Sequence, residues 1–397
     1  MLSTPFSTPW GEVDLTRFPE DPRDPLRAWD AADAYLLRRL AGEPGPEGTP
    51  VGPVDPAAAA PGALVVVGDR WGALTTALAA YRPTQITDSY LAREATRANL
   101  ARNGVDPETV RLLTTRDEPP ARVDVLLVRV PKGLALLEDQ LHRLAPSVHT
   151  GTVVLGTGMT TEIHTSTLAL FERILGPTRT SLAEKKARLI FCTPDGRPAA
   201  AANPWPHTYA LPDGIGVMSG RRVVNHAGVF CAERLDVGTR FLLGHLPERR
   251  GPEHVVDLGC GNGVVGTAAA LANPDAHVTF VDESFQAVAS AEETYRANVD
   301  ADARPAAFTV GDGLASLPGA SADLVLNNPP FHSHRATTDG IAWRMFTGSR
   351  AALRRGGELW VVGNRHLGYH VKLKRIFGNC EVAASDRKFV VLRATRR

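Results

Sequence analysis

Short apolar runs alternate with longer segments of mixed polarity along most of the 397-residue chain. Such runs are typical of buried strands, and the segments between them are long enough for helices. In the second half, strands are predicted at 255–258, 278–281, 307–310, 324–326, 358–362, near 380–383 and at 389–394. Strands separated by helices predict a mostly parallel sheet flanked by helices, and the last two strands predict an antiparallel edge.

The first half of the chain repeats this order of elements, starting from the apolar run at 63–68. A repeat of this length predicts an α/β protein built of two tandem Rossmann-like folds. Before the repeat, 25–40 is a candidate amphipathic helix and 42–62 is rich in Pro, Gly and Ala, as linkers are. The predicted domains are an N-terminal extension with linker (1–62), a first fold (63–200) and a second fold (201–397).

A glycine-rich turn follows the strand predicted at 255–258. Its characteristic residues are Asp257, Gly259, Gly261, Gly263 and Gly266. Glycine lets a backbone approach a ligand closely, and Asp282, at the end of the next strand, is placed to accept hydrogen bonds from ribose hydroxyls. The spacing also fits the dinucleotide fingerprint, so the turn alone leaves NAD and S-adenosylmethionine both open as ligands.

The strand predicted at 324–326 runs directly into Asn327, Asn328, Pro329, Pro330 and Phe331. Two consecutive prolines donate no backbone hydrogen bond and hold φ at about −65°, so nearby carbonyls are rigid acceptors. We expect the Asn328 amide oxygen and the Pro329 carbonyl to accept the two hydrogens of an exocyclic amine, while Phe331 stacks on the ring that carries it. The predicted catalytic residues are therefore Asn328, Pro329, Pro330 and Phe331.

This loop and Asp257 favour S-adenosylmethionine over NAD. A carboxylate before the first glycine repels a pyrophosphate but suits a sulfonium ligand with a cationic amino group, and the amine-binding loop gives a methyl donor its acceptor. Asp312, after the strand at 307–310, is placed to accept from the adenine amine. The predicted cofactor-binding residues are Asp257, Gly259, Gly261, Asn262, Gly263, Asp282, Asp312 and Asn327.

Further segments in both halves carry a resemblance to one known family. They are 164–168, 175–178, 185–190, 225–230, 235–238 and 363–367. With the glycine turn and the Asn-Pro-Pro-Phe loop, they make the chain similar, over about residues 60–397, to class I S-adenosylmethionine-dependent methyltransferases. Within that class it resembles the bacterial ribosomal RNA guanine-N2 methyltransferases, most closely the large-subunit member that acts on 23S rRNA. The resemblance implies two tandem class I folds, the first degenerate and the second catalytic.

The activity implied by the resemblance is methyl transfer from S-adenosylmethionine to the N2 amine of a guanine in 23S rRNA, as free RNA or in a ribosomal assembly intermediate. The sulfonium methyl is already activated, so the protein mainly has to align the reacting atoms, and such positioning supplies about 7–11 kcal/mol. No strong general base is needed, and His332 or water can receive the proton. A paired guanine has to be extruded to reach the loop.

Other functions stay open on the residues alone. A guanine of 16S rRNA, an adenine N6 amine of a nucleic acid and a glutamine of a release factor all present a planar amine or amide to the same loop. A non-enzymatic RNA-binding assembly factor with a relic fold is the remaining alternative. The intact glycine turn and the intact Asn-Pro-Pro-Phe loop argue against it.

The first copy lacks the chemistry of the second. Trp71 stands near a position that needs a small turn residue, and residues 129–132 have neither the amide nor the aromatic ring of the Asn-Pro-Pro-Phe loop. Asp88 takes the place of Asp282 at the acidic strand end. We therefore predict that the first fold binds no cofactor. It supports the second fold and adds RNA-contacting surface, as the resemblance also implies, or it is a purely structural domain.

Composition and cysteine spacing match a cytoplasmic enzyme. The chain is 43% hydrophobic, with no apolar run long enough to span a membrane and no leader-like pattern at its start. No membrane or metal is expected as a partner. Cys192, Cys231, Cys260 and Cys380 are widely spaced, which predicts free thiols rather than a zinc site or disulfides.

The net charge of +1 conceals an uneven distribution. Residues 334–397 contain 14 Lys and Arg against 4 Asp and Glu, an excess of +10 that leaves residues 1–333 at −9. A basic tract next to a catalytic loop is the pattern expected for contact with a phosphate backbone. The predicted RNA-binding residues are Arg350, Arg354, Arg355, Lys372, Lys374, Arg375, Arg387 and Lys388.

Overall fold

The computed structural model of the protein describes residues 5–21, 24–45, 57, 59–197, 201–330 and 335–397, with the backbone only for 335–339. The chain divides into two compact units, Met1–Pro204 and Trp205–Arg397. The boundary between them is four residues beyond the predicted one. Most of the predicted linker at 42–62 lies outside the described residues.

The first unit contains nine strands and five helices in the described residues. Their bounds are β1 (Phe6–Thr8), β2 (Gly11–Val13), α1 (Ala31–Leu40), β3 (Leu64–Val67), α2 (Ala73–Ala77), β4 (Thr84–Thr87), α3 (Tyr90–Arg102), β5 (Arg111–Thr114), β6 (Val123–Arg129), α4 (Leu134–Leu144), β7 (Val148–Met159), α5 (Thr165–Ile174), β8 (Thr178–Thr180) and β9 (Ala187–Cys192). Seven strands form one sheet in the order β5-β4-β3-β6-β7-β9-β8. The first five are parallel, and β9 and β8 make an antiparallel edge.

The N-terminal segment packs into the core of the first unit. Helix α1 begins at Ala31, six residues later than predicted, because Asp30 caps it: the Asp30 carboxylate accepts from the Ala32 N–H at 2.8 Å. Phe6, Leu36 and other apolar residues of this segment are buried with residues of β3 and β6. Residues 5–40, predicted as a separate extension, thus form part of the first unit, because their apolar side chains cover one face of its sheet.

The second unit is built in the same way. Its elements are β10 (His207–Ala210), β11 (Arg222–Asn225), α6 (Val237–Leu243), β12 (His254–Leu258), α7 (Val264–Ala272), β13 (His277–Asp282), α8 (Phe285–Asn298), β14 (Ala307–Val310), β15 (Ala322–Asn327), α9 (Arg335–Ala352), β16 (Leu353–Asn364), α10 (Tyr369–Phe377), β17 (Glu381–Ser385) and β18 (Phe389–Thr395). The sheet order is β14-β13-β12-β15-β16-β18-β17. This order and directionality match those of the first unit, which confirms the predicted duplication.

The predicted strands of the second unit are all present. Strand β14 has the predicted bounds, and β16 begins five residues before its predicted start. The pattern did not predict the antiparallel pair β10 and β11, which lies outside the main sheet. Strand β11 is held against α8, since the Thr294 hydroxyl accepts from the Val224 N–H at 3.0 Å.

Strand register aligns the two units residue by residue. Val67 pairs with Ile86 and Val128 in the first sheet, as Leu258 pairs with Val281 and Asn327 in the second. Counting on from these pairs, Arg70 and Trp71 have the positions of Gly261 and Asn262, and Arg129 has that of Asn328. Thr87, rather than Asp88, has the position of Asp282, so the acidic residue is replaced in the first unit.

Arg129 is buried in the first unit and is surrounded by carboxylates. Its side chain is 1% exposed, and its guanidinium lies 2.7 Å from Asp30, 2.8 Å from Glu162 and 3.3 Å from Asp33. Burial raises the pKa of Glu162, but Arg129 and Arg70 outweigh burial and lower that pKa to about 2. An ion-pair cluster around the buried Arg129, called here the Arg129 cluster, therefore occupies the strand end at which the second unit has its Asn-Pro-Pro loop.

Candidate active site at the carboxyl edge of the second sheet

The glycine turn after β12 has a backbone that favours glycine. Gly259, Gly261 and Gly263 have φ values of 69°, 53° and 75°. A Cβ at Gly263 would lie 2.6 Å from the Ala291 Cα, whereas a Cβ at Gly261 would meet open space. Gly263 thus allows α7 to pack on α8, and Gly261 leaves room for a ligand above the turn.

We expect alanine at these two glycines to have different effects. Gly263→Ala should lower the free energy of unfolding by on the order of 3 kcal/mol, because the new methyl group meets backbone and φ is positive. Gly261→Ala should cost only about 1 kcal/mol, yet weaken S-adenosylmethionine binding by at least about tenfold. Urea unfolding and calorimetric titration measure the two quantities. If the two variants changed the free energy of unfolding equally and the affinity for S-adenosylmethionine equally, this division of roles would be contradicted.

Asp257 lies in β12, two residues before the first glycine of the turn. It is 3% exposed, and its Oδ2 accepts from the Gly266 N–H in the first turn of α7 at 2.7 Å. Burial raises the pKa of Asp257 to about 8. The side chain therefore holds the start of α7 against β12, and its predicted contact with the cofactor stays a prediction.

Asp282 ends β13 and faces the glycine turn. Its Oδ2 accepts from the Gly261 N–H at 3.0 Å and its Oδ1 from the Ser284 N–H at 3.1 Å. Burial raises the pKa of Asp282. A carboxylate has about four lone-pair sites, and the backbone N–H groups of Gly261, Ser284 and Glu283 all donate to this one. Backbone donors thus fix the carboxylate in place, and its contact with ribose hydroxyls stays a prediction.

Two asparagines next to the glycine turn and in the Asn-Pro-Pro loop have buried side-chain oxygens with no donor among the described residues. Asn327 is fully buried, and its Nδ2 donates to the Leu258 carbonyl at 2.7 Å. The Nδ2 of Asn328 donates to the Thr239 Oγ1 at 2.9 Å. Within the described residues, the Oδ1 atoms of both are buried and have no hydrogen-bond partner. A buried acceptor without a donor costs about 1–3 kcal/mol, so both oxygens are suited to a ligand that donates.

The two prolines follow as predicted in a segment without regular structure. Pro329 is buried and Pro330 is exposed. Phe331 and His332 lie outside the described residues, so base stacking and proton acceptance by these two side chains stay predictions.

Helix α9 and strand β11 add residues that the sequence patterns did not single out. Arg344 lies 3.2 Å from Asp312, the predicted adenine acceptor. The Met345 sulfur is 3.9 Å from the Asn327 Nδ2, so its side chain lines the site. The Asn262 Nδ2 donates to the Asn225 Oδ1 at 3.0 Å. Asn225 and Thr239 are within or next to segments that carried the family resemblance, and the sequence held no other signal for them.

The predicted RNA-binding residues fall at different edges of the sheet. Arg354 pairs with Asp323 near the amino end of β15, the edge opposite the site. Arg387 and Lys388 precede β18, whose Phe389 pairs with Asn364 at the carboxyl edge. Arg350 and Arg355 are close to Arg354 in the chain, at the end of α9 and the start of β16. The other three predicted residues lie on α10: Lys372, Lys374 and Arg375. The basic tract is therefore divided, and only part of it lies at the edge of the sheet that carries the Asn-Pro-Pro loop.

This division predicts unequal effects on RNA binding. Replacing Arg387 and Lys388 together with alanine should weaken binding of rRNA fragments and reduce the slope of log affinity against log salt by about 0.7 for each phosphate that is no longer neutralised. The matched variant with Arg350 and Arg355 replaced removes the same charge at the opposite edge and should bind nearly as the wild type does. Filter binding over a range of salt concentrations measures both, and equal weakening in the two variants would contradict the division.

The described part of the chain has neither a cluster of metal-binding side chains nor a membrane-spanning helix. It holds no group of three or more His, Cys, Asp or Glu side chains that could bind a metal ion. None of its helices has the length and apolar character needed to cross a membrane. All four cysteines are free thiols, as predicted.

Class I S-adenosylmethionine-dependent methyltransferases combine this strand order with a glycine turn after the central strand. The second unit has both and is a methyltransferase of this class, and the first unit shares its topology. Residues 3–196 match the family model of the RLMG N-terminal domain, and residues 220–393 match the methyltransferase small domain.

Relatives of known name match over the whole chain. Ribosomal RNA large subunit methyltransferase G of Streptomyces avermitilis is 71% identical, with 100% of both chains covered. The protein of the same name from Aeromonas salmonicida is 45% identical, again with 100% of both chains covered. This chain belongs to the ribosomal RNA large subunit methyltransferase G family.

A solved structure supports the fold of both units. The 16S rRNA N2 methyltransferase of T. thermophilus, in complex with AdoMet and guanosine, aligns with a TM-score of 0.72. The alignment covers 99% of this chain and 98% of that chain at 20% identity. At this identity the likeness establishes the fold alone.

Proposed function

We propose that the protein transfers a methyl group from S-adenosylmethionine to the exocyclic N2 amine of a guanine in 23S rRNA. The observation that carries this proposal is the buried Asn328 Oδ1, which has no donor among the described residues. An exocyclic amine supplies such a donor. The name shared by the relatives, large subunit methyltransferase, favours 23S over 16S rRNA.

The residues at the carboxyl edge of the sheet fit S-adenosylmethionine. Gly261 leaves open space above the turn, and the Asp282 carboxylate is held where ribose hydroxyls can donate to it. The Asn327 Oδ1 is a further buried acceptor. We propose that these residues, with Asp257, Gly259, Asn262, Gly263 and Asp312, form the cofactor site. When bound, the cofactor supplies an activated methyl group.

The chain's own part in the reaction is to position the amine. We propose that the Asn328 oxygen and the Pro329 carbonyl accept the two amine hydrogens, which aims the nitrogen lone pair away from the ring plane. Phe331 is proposed to stack on the guanine, and water or His332 to receive the proton. The methyl group is transferred from a sulfonium, whose thioether is a good leaving group. Alignment of the reacting atoms, rather than strong base catalysis, therefore accounts for most of the rate acceleration.

The first unit is proposed to bind no cofactor. Arg70 and Trp71 stand at the positions of Gly261 and Asn262, and the Arg129 cluster stands at the position of the catalytic loop. We therefore expect calorimetric titration to give one S-adenosylmethionine per chain. A second site that persists when Asp282 is replaced by alanine would contradict this expectation.

Methyl transfer to separated rRNAs tests the proposed function. The substrates are protein-free 23S and 16S rRNA that lack this modification, with labelled S-adenosylmethionine as donor and purified release factor as a third substrate. Label in 23S rRNA is expected, and we infer that the enzyme meets it in the cytoplasm, free or in an assembly intermediate. Label in 16S rRNA, release factor or adenine N6 would replace the proposed substrate, and no label in any of these or in assembled particles would favour a binding role.

A further inference from the structure

Helix α6 reaches the Asn-Pro-Pro loop through the Thr239 side chain. Asp236 caps this helix, and its Oδ2 accepts the Thr239 N–H at 2.8 Å and lies 3.2 Å from the Thr239 Oγ1. The Thr239 Oγ1 accepts from the Asn328 Nδ2 at 2.9 Å. Three side chains from two segments about 90 residues apart therefore form one continuous hydrogen-bonded chain.

The carboxylate of Asp236 fixes the direction of this chain. A carboxylate only accepts, so the hydroxyl hydrogen of Thr239 points to Asp236 and its oxygen lone pairs remain for Asn328. Only the NH2 side of the Asn328 amide can bond to that oxygen. The amide oxygen of Asn328 is thereby turned to the opposite side, where it is buried and meets no donor among the described residues.

We propose that Thr239 and Asp236 are positioning residues, which hold the Asn328 amide with its oxygen toward the substrate amine. This rests on the proposed role of Asn328 as acceptor of that amine. Without the Thr239 hydroxyl, the amide can turn by about 180° about χ2, since its two orientations have similar shape. The NH2 group would then face the amine and repel its hydrogens.

Thr239→Val and Thr239→Ser test the proposal. Valine has the shape of threonine without the hydroxyl, and it retains the backbone N–H that bonds to Asp236, so the helix cap stays. We expect Thr239→Val to lower kcat for methyl transfer by about 10- to 100-fold, since small misplacements in an aligned site have effects of this size. The KM for rRNA, the affinity for S-adenosylmethionine and the melting temperature should stay near wild type. Thr239→Ser should restore kcat to within about threefold, because serine keeps the hydroxyl.

A double-mutant cycle with Asn328→Ala separates the possible failures. If Thr239 acts through Asn328, adding Thr239→Val to Asn328→Ala should change kcat by less than about threefold. Independent, multiplying effects would overturn the positioning role, as would a serine variant as impaired as the valine variant. Full activity of Asn328→Ala alone would instead overturn the proposed function of the loop. Wild-type kcat in Thr239→Val together with an inactive Asn328→Ala would reject the role of Thr239 only.

Discussion

Replacing Asn328 with alanine is expected to lower kcat for methyl transfer by about 100- to 1000-fold, the range seen when one preorganised polar group is removed from an active site. The reason is that the variant loses an acceptor that is buried, fixed by Thr239 and without another donor in the described residues. The affinity for S-adenosylmethionine should change by less than about threefold, because the proposed partner of Asn328 is the substrate amine and not the cofactor. Single-turnover kinetics and calorimetric titration give the two values.

Two variants control for other causes of this loss. Asn379→Ala removes an asparagine of the same unit that donates to the Thr395 carbonyl at 2.7 Å, so it reports the effect of general destabilisation. Asn328→Asp keeps an acceptor oxygen and should retain more activity than alanine does. The expected loss is at least about 100-fold, so an Asn328→Ala enzyme with more than about one tenth of wild-type kcat would contradict an essential role for the amide.

Arg129→Met in the first unit is expected to lower the free energy of unfolding by about 3–5 kcal/mol, because it removes the buried cation that pairs with the buried Asp33 and with the partly buried Asp30 and Glu162. Asp30, Asp33 and Glu162 all lie within 3.3 Å of the guanidinium. Burial already raises the pKa of Asp33 to about 7 while Arg129 opposes that rise. Without Arg129 the pKa of Asp33 should rise further.

The sign of the pH dependence follows from that rise. A carboxyl with a raised pKa in the folded protein stabilises it below its unfolded pKa, and that contribution is lost as pH increases through the folded value. The loss of stability in Arg129→Met should therefore be smaller at about pH 5 than at pH 8. Urea unfolding at both pH values measures this difference in stability.

The control variant is Arg122→Met, which removes an exposed partner of Asp124 and should change the free energy of unfolding by less than about 1 kcal/mol. If Arg129→Met and Arg122→Met lowered the free energy of unfolding equally, the stabilising role of the Arg129 cluster would be contradicted.

The sheet and its duplication could be predicted from the sequence because both depend on local patterns. Parallel strands buried on two faces give unbroken apolar runs, such as the fully buried β3, and helices between them follow from chain length. The glycine turn and the Asn-Pro-Pro loop were found because their residues are consecutive. Their meeting at one edge follows from the parallel order β13-β12-β15.

The features that were not predicted depend on contacts between segments far apart in the sequence. No pattern in 1–62 shows that Phe6 and Leu36 cover a sheet that starts at residue 64. Likewise, the contact between Thr239 and Asn328 joins segments that only the fold brings together. The basic tract is a different case, because strand direction already places residues before β16 and residues before β18 at opposite edges. Counting charge along the sequence ignored that direction.

The most direct test of the central claim is nucleoside analysis by mass spectrometry of 23S rRNA after incubation with S-adenosylmethionine and either the wild-type protein or Asn328→Ala. The RNA comes from cells that lack the enzyme. We predict N2-methylguanosine with the wild type and almost none with the variant. A methylated nucleoside other than N2-methylguanosine, or equal formation by both proteins, would contradict the account.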